Sequence, residues 1–395
     1  MKRIVLAVCL IVAGIGLISA AASTGLYTLV IPEQYSTMEV QGGVGGVPGS
    51  DVIRLELDTT PSDARFRIGA DADYQWYRRT EDTTMNIDAG GTLSFGNNLL
   101  SFDFDVDPSY KSYTLDLGSM NGFFTVGASF GLWGFVPFSG TSEIELDVFP
   151  YGEAGVGRLY SIYTLKRIET IMKYLGVTPT EENVRQVAQI MYQQNQRLLE
   201  FNDDFSRNYL KYFTDIATAM GVPEKVLDLA VLGYSQRYVF EMARYIGLQH
   251  GWEAGIRLTP GVSYDKGFTT TTTDFRGAFE LFGEYGGFLI EDMLHLGAEA
   301  GVRLAYETDH TDKFYAEIRT SGTVRYLPDN YRLWAEGVLD IRYSTSSTWA
   351  DPFDLDIRAQ LNYMINPNFT TYGGVSLLNT FKNLAVYAGG SIRIW

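Results

Sequence analysis

The segment FYAEIRTSGTVRY, Phe314 to Tyr326, decides the fold. Phe314, Ala316, Ile318, Gly322, Val324 and Tyr326 share one face of a period-two pattern. Glu317, Arg319, Ser321, Thr323 and Arg325 share the other. Such alternation is a strand with one apolar and one wet face. Its terminal aromatics stand twelve positions apart, a spacing that Trp252/Tyr264 and Tyr331/Tyr343 repeat. Twelve steps of roughly 3.3 Å make about 40 Å of strand. At a tilt of roughly 40° this covers about 30 Å of height, close to the apolar band of a barrel girdled by aromatics at both rims. The candidate girdle residues are Trp252, Tyr264, Phe275, Tyr306, Phe314, Tyr326, Tyr331, Tyr343, Phe353 and Tyr363.

The same period governs residues 251–395, where about eight strands are expected, and residues 51–157, where about seven are. In the earlier block Ile53, Leu55 and Leu57 alternate with charged residues, as do Leu100, Phe102, Phe104 and Val106 with Ser101, Asp103, Asp105 and Asp107. Residues 158–250 break the pattern. Val184, Val187, Ile190 and Met191 have helical spacing, and Gly176, Gly221 and Gly247 stand where helices would end. Thr178-Pro179-Thr180-Glu181 reads as a capping box with proline at the first helical position. About four helices are expected here. Residues 23–50 read as a loose lead, with a Gly-rich linker from Gln41 to Ser50.

The first 22 residues have the layout of a cleaved secretory signal: Lys2 and Arg3, an apolar run from Ile4 to Ile18, then Ser19-Ala20-Ala21-Ala22. Cys9, the chain's one cysteine, lies inside it, so no disulfide or cysteine metal site is expected in the mature chain. No later apolar run reaches the length of a membrane helix. The chain carries 31 Lys and Arg against 47 Asp and Glu, which argues against nucleic acid as a partner. The mean hydropathy of −0.05 fits barrel strands, whose apolar and polar halves cancel.

The signal segment, the girdled alternating strands, the cysteine-free mature chain and the aromatic Trp395 at the end of the last strand together resemble the bacterial outer-membrane β-barrel (porin-like) class over residues 51–157 and 251–395. The resemblance implies an all-β transmembrane barrel of about 14 antiparallel strands (range 12–16), with the helical block inserted. It also implies a bacterial outer-membrane location, with the lipid bilayer and the barrel assembly machinery as partners. Loops alternate in length: Asp265–Thr273, Glu307–Lys313 and Ser344–Pro352 are long, whereas the turns at Glu291-Asp292, Pro328–Asn330 and Asn366–Asn368 are tight. Periplasmic turns are the short ones, so the helices would hang in the periplasm or fold into the lumen.

Charge on the wet face cannot meet lipid cheaply, since Arg or Lys at mid-membrane costs roughly 2–4 kcal/mol. Pore-lining candidates are therefore Asp103, Asp105, Asp107, Glu143, Glu145, Asp147, Glu299, Arg303, Glu317, Arg319, Arg325, Arg332, Glu336, Asp340, Arg342, Asp356 and Arg358. The later set nearly balances in sign and reads either as a neutralised ladder or as a charge-selective lining. The earlier set is acidic and gives the lumen a cation preference unless bases elsewhere neutralise it. Asp103-x-Asp105-x-Asp107 lacks the glycine and glutamate of a calcium loop. Gly127–Gly131 matches G-x-S-x-G but lies within an alternating strand, and His295 with Glu299 has no nucleophile beside it. No enzyme, cofactor or metal site is expected. Two functions stay open: a channel for small hydrophilic solutes plugged or gated by the helices, or a membrane anchor whose helices dock a periplasmic protein.

Overall fold

A computed structural model describes residues 26–45, 67–96, 99–116, 121–138, 140–194, 205–235, 243–267, 271–308, 312–330, 332–346, 352–366, 369–378 and 383–394. Among these residues six strands precede the helices: β1 (Glu33–Gly45), β2 (Arg67–Arg79), β3 (Thr83–Gly96), β4 (Leu99–Asp116), β5 (Asn121–Pro137) and β6 (Glu143–Ser161). Eight follow: β7 (Gln249–Lys266), β8 (Thr271–Ile290), β9 (Leu294–Glu307), β10 (Phe314–Tyr326), β11 (Leu333–Ser344), β12 (Phe353–Asn366), β13 (Phe369–Leu378) and β14 (Asn383–Ile394). Every strand pairs antiparallel with its neighbours in sequence, and β1 pairs with β14 to close the barrel. In hydrocarbon an unpaired strand edge has no water to bond, so a closed ladder is the stable way for strands to span.

The residues that close the ring were expected to be a loose lead and linker. Instead β1 runs through them, with Gly42 facing Gly390 and Gly43 facing Gly389. Glycine lowers strand propensity, but pairing on both edges, with β14 and β2, outweighs that preference. The expected strand at Ile53–Leu57 lies outside the described residues, as does the signal segment. The Asp265–Thr273 loop is shorter than expected, because β7 continues to Lys266 and β8 starts at Thr271.

The outer face is apolar. Leu258, Leu281, Leu304, Leu361, Leu384 and Val386 are all more than half exposed, a surface suited to hydrocarbon. One rim carries Tyr264, Phe275, Tyr306, Phe314, Tyr343 and Phe353, and the other Trp252, Tyr326 and Tyr363. Tyr331 lies outside the described residues.

Among the described residues, four α-helices lie in the connection between β6 and β7: α1 (Tyr163–Leu175), α2 (Glu181–Tyr192), α3 (Phe205–Ala219) and α4 (Val226–Ser235). The cap of α2 is shifted from the expected Thr178. Thr180 is the N-cap, its hydroxyl accepting from Asn183 N (3.3 Å) while Asn183 Oδ1 accepts from Thr180 N (2.7 Å), so Pro179 precedes the helix. Gly176, Gly221 and Gly247 take positive φ at the turns that end helical segments.

The helices share one core with the barrel end from which they emerge. Ile168, Met172, Val187, Ile216 and Leu232 are fully buried, and Phe288, Leu327 and Trp334 join them from the strands and turns. Leu26 to Pro32 leads into β1 between these two bodies. Its Tyr27 ring lies 5.1 Å from His250 and 5.8 Å from Phe288, on β7 and β8. In a ring of fourteen, β8 lies opposite β1, so this strap crosses the mouth and the helices cover it.

Backbone approach is tight at Gly157, where φ is +101° and an added Cβ would sit 2.3 Å from the Trp252 carbonyl. Gly157→Ala should cost about 1–3 kcal/mol in urea unfolding of the refolded barrel. Gly322→Ala, which meets nothing within 4 Å, should stay within about 0.5 kcal/mol. Equal costs would contradict the packing at this seam.

Candidate functional site

The lumen is lined by the wet faces of the strands, and the structure divides their charges into two groups. On β3 and β4, Asp88, Asp103, Asp105 and Asp107 form an acidic wall, with Asp103 and Asp105 exposed to the lumen. Gly90 makes room for it, because the Asp105 carboxylate occupies the space a Cβ there would fill. On β6, Glu145 accepts from Ser263 Oγ (3.0 Å) and stands 3.8 Å from Arg276, while Glu143 and Asp147 are half-buried beside it.

Other charges of the lumen are paired. Glu317, fully buried, accepts from Arg303 (3.3 Å), Arg319 (2.9 Å) and Arg342 (2.7 Å). Arg257 bridges Glu153 (2.6 Å) and Glu280 (3.2 Å). Glu253, also fully buried, is held by Lys111 (2.6 Å), the Tyr113 hydroxyl (2.6 Å) and Leu159 N (3.2 Å). The near-balanced C-terminal charges therefore include a neutralised ladder. Asp340 faces Asp356 across β11 and β12, and Arg358 and Glu299 are exposed to the lumen.

Two sequence expectations change, those for Arg325 and Arg332. Arg325 bonds Glu336 (2.7 Å) and the carbonyls of Arg244 and Ile246 (3.1 Å each), so it ties the wall to the helical block. Arg332 lies in the turn before β11, below the strand wall, because β11 starts one residue later. His295 does not engage Glu299; its Nε2 lies 2.7 Å from the Gln249 carbonyl, since residues four apart on a strand are too distant to pair. Gly127–Gly131 lies inside β5 and forms no nucleophile elbow.

A junction that sequence reading missed holds the mouth. Lys166 on α1 is buried. Its Nζ donates to Glu169 (2.6 Å) and Tyr27 Oη (2.6 Å), and to Asp292 in the β8–β9 turn. One ammonium thus joins helix, strap and barrel. Burial opposes the charge on Lys166, but Glu169, Tyr27 and Asp292 outweigh it and hold its pKa above the ordinary lysine range. Burial likewise raises the Glu169 carboxyl, against the pull of Lys166. A lysine on the buried face of an amphipathic helix was the one signal of this junction in the sequence. Glu33 adds a second tie, accepting from the backbone N–H (3.1 Å) and hydroxyl (3.0 Å) of Thr164 in the first turn of α1.

The fold is a closed antiparallel β-barrel with an apolar exterior. Among solved structures the chain is similar to an outer-membrane channel of Pseudomonas putida F1 (8% identity, TM-score 0.32, covering 94% of this chain and 100% of that one). It is also similar to the outer-membrane protein Omp33 of Acinetobacter baumannii (8%, 0.31, 92% and 99%) and to the porin KdgM in complex with oligogalacturonate (8%, 0.29, 91% and 100%). No family model matches the sequence. No curated protein matches it either.

Glu317→Gln leaves three arginines around a neutral amide. Because they are partly solvated, the loss should be about 2–4 kcal/mol in urea unfolding. A change below about 1 kcal/mol would show that the cluster contributes no stability.

Proposed function

We propose that the protein is an outer-membrane channel for small hydrophilic solutes, with a cation preference, whose helical block closes the periplasmic mouth at rest. The observation that carries this reading is a charged lumen ending in a cap that shares its core with the barrel. A solute diffuses along the acidic wall of β3 and β4, where the field concentrates cations and repels anions. The signal-like segment and the lipid-suited exterior support the outer membrane as its location. Passage along the axis then requires the cap to shift, and Lys166 is the contact that such a shift must break.

A groove of about 640 Å³ between α2 and α3, lined by Arg185, Gln189, Ile190, Asp215 and Ala219 among others, favours the second reading, a docking module for a periplasmic protein. Deleting residues 160–248 separates the two. Higher conductance in planar bilayers supports a plug; unchanged conductance with loss of a co-purifying protein supports docking.

Lys166→Met should raise the open probability several-fold, and an unchanged value would exclude Lys166 as the latch. The pH dependence has a definite sign. Glu169 and Lys166 both hold protons more tightly in the closed cap than when free. Their contribution to closure is complete below the ordinary values, about 4.3 for Glu and 10.4 for Lys. It is lost as pH rises through the raised values. Open probability should therefore increase from weakly acid to neutral pH through Glu169; a decrease would contradict the latch. Replacing Asp103, Asp105 and Asp107 together with Asn should lower the cation-to-anion permeability ratio, read from reversal potentials in a salt gradient. An unaltered ratio would remove the acidic wall from selectivity.

A further inference from the structure

The described wall is weakest along one line at mid-height. Along β6 and β7, Val148 faces Val262 and Gly152 faces Leu258 in unbroken register, so Pro150 stands opposite Pro260. Between those pairs, Phe149 to Tyr151 make no ladder pairs with Thr259 to Gly261. Proline has no N–H, and two prolines facing one another remove both donors of a single facing pair. Both prolines are exposed on the outer face, where hydrocarbon offers their freed carbonyl partners nothing in exchange. The only other described strand junction with a proline-associated gap, at Pro108 between β4 and β5, has one proline, not two.

One aromatic ring stands against the gap on the inner side. The Phe149 ring lies across Gly261, where an added Cβ would come within 1.9 Å of it, while the Tyr151 ring turns the other way and lies across Gly127 of β5 (2.4 Å). Further along the inner face of β5 toward the open rim stand Trp133 and Phe135, edge to face at 5.4 Å, with Trp133 exposed. Aromatic surface therefore leads from the open end to the gap. Outside, Leu258 at the edge of the gap opens an apolar groove of about 570 Å³ that runs past Phe279, Leu304 and Phe314. At the other end of the lumen stand the strap and the helices packed on it.

We propose that the β6–β7 seam is a lateral portal, through which a flat aromatic molecule passes from the lumen into the hydrocarbon of the bilayer. The Phe149 ring is its shutter. Parting the wall here breaks fewer backbone hydrogen bonds than at a fully paired junction such as β7–β8, and the groove beginning at Leu258 receives the molecule. This activity is separate from the passage of ions along the axis and depends only on the barrel.

A disulfide tests it. Phe149→Cys with Gly261→Cys links the facing positions of the seam, and Thr259→Cys with Ala278→Cys links the neighbouring, fully paired junction as a control. Cells with a lipopolysaccharide outer leaflet are given N-phenyl-1-naphthylamine, which fluoresces on entering hydrocarbon. The seam link should slow its entry about fivefold, reversed by dithiothreitol, while the control link does nothing. Unchanged entry with the seam linked overturns the proposal. Because ion conductance is read separately, an inactive axial channel would not be mistaken for a closed portal. Hydrogen exchange of the unmodified protein in lipid nanodiscs gives a second test. Amides of 148–152 and 258–262 should exchange faster than amides at the same height on β8 and β9, and equal protection overturns the proposal.

Discussion

In hydrocarbon no backbone amide can be left without a partner, and the rest of this structure follows from that constraint. Fourteen strands meet it by closing on themselves, and the last bond of the circle is made by β1 against β14. The glycine-facing-glycine pairs at that closure carry no side chains to pack, so the ladder itself holds them together. Where the rule is broken most, at Pro150 and Pro260, the Phe149 ring lies against the breach from within. A wall built to be sealed but missing two donors at one level is a wall with a built-in line of parting.

Charge placement obeys the same economy. Carboxylates and guanidinium groups are expensive against lipid, so the alternation of each strand turns them inward. Inside, the two halves of the barrel solve the problem differently. Glu317 and Glu253 are desolvated and each is surrounded by several donors, which makes them structural. Asp103 and Asp105 stay exposed to the lumen, where solvent screens their mutual repulsion and where a permeating cation would meet them. The β4 wall lies opposite β11, so the unpaired acids and the paired cluster look at one another across the lumen.

How much was legible in the sequence depended on range. Period-two alternation and the twelve-residue aromatic spacing report local geometry, and they located most strands of the second block within a few residues. The β1 strand was hidden because Gly42, Gly43 and Gly45 carry no pattern, and only the edges they meet make a strand of them. The cap on α2 was misplaced by two residues because Asn183, not Glu181, closes the box with Thr180. Tyr27, Lys166 and Asp292 converge from three distant parts of the chain, and no local signal links them. The Pro150–Pro260 juxtaposition was equally invisible, since it exists only once the register is known.

The central claim is that each strand shows one face to lipid and the other to a water-filled lumen. Cys9 is the chain's one cysteine, so in a Cys9→Ser background single cysteines can be placed along β10 without competing thiols. Reactivity of each toward a membrane-impermeant maleimide in bilayers reads the two faces directly. The account predicts period-two labelling: positions 319, 321 and 323 react, while 318, 320 and 322 are protected. Uniform labelling, or protection with a period near 3.6, would contradict it.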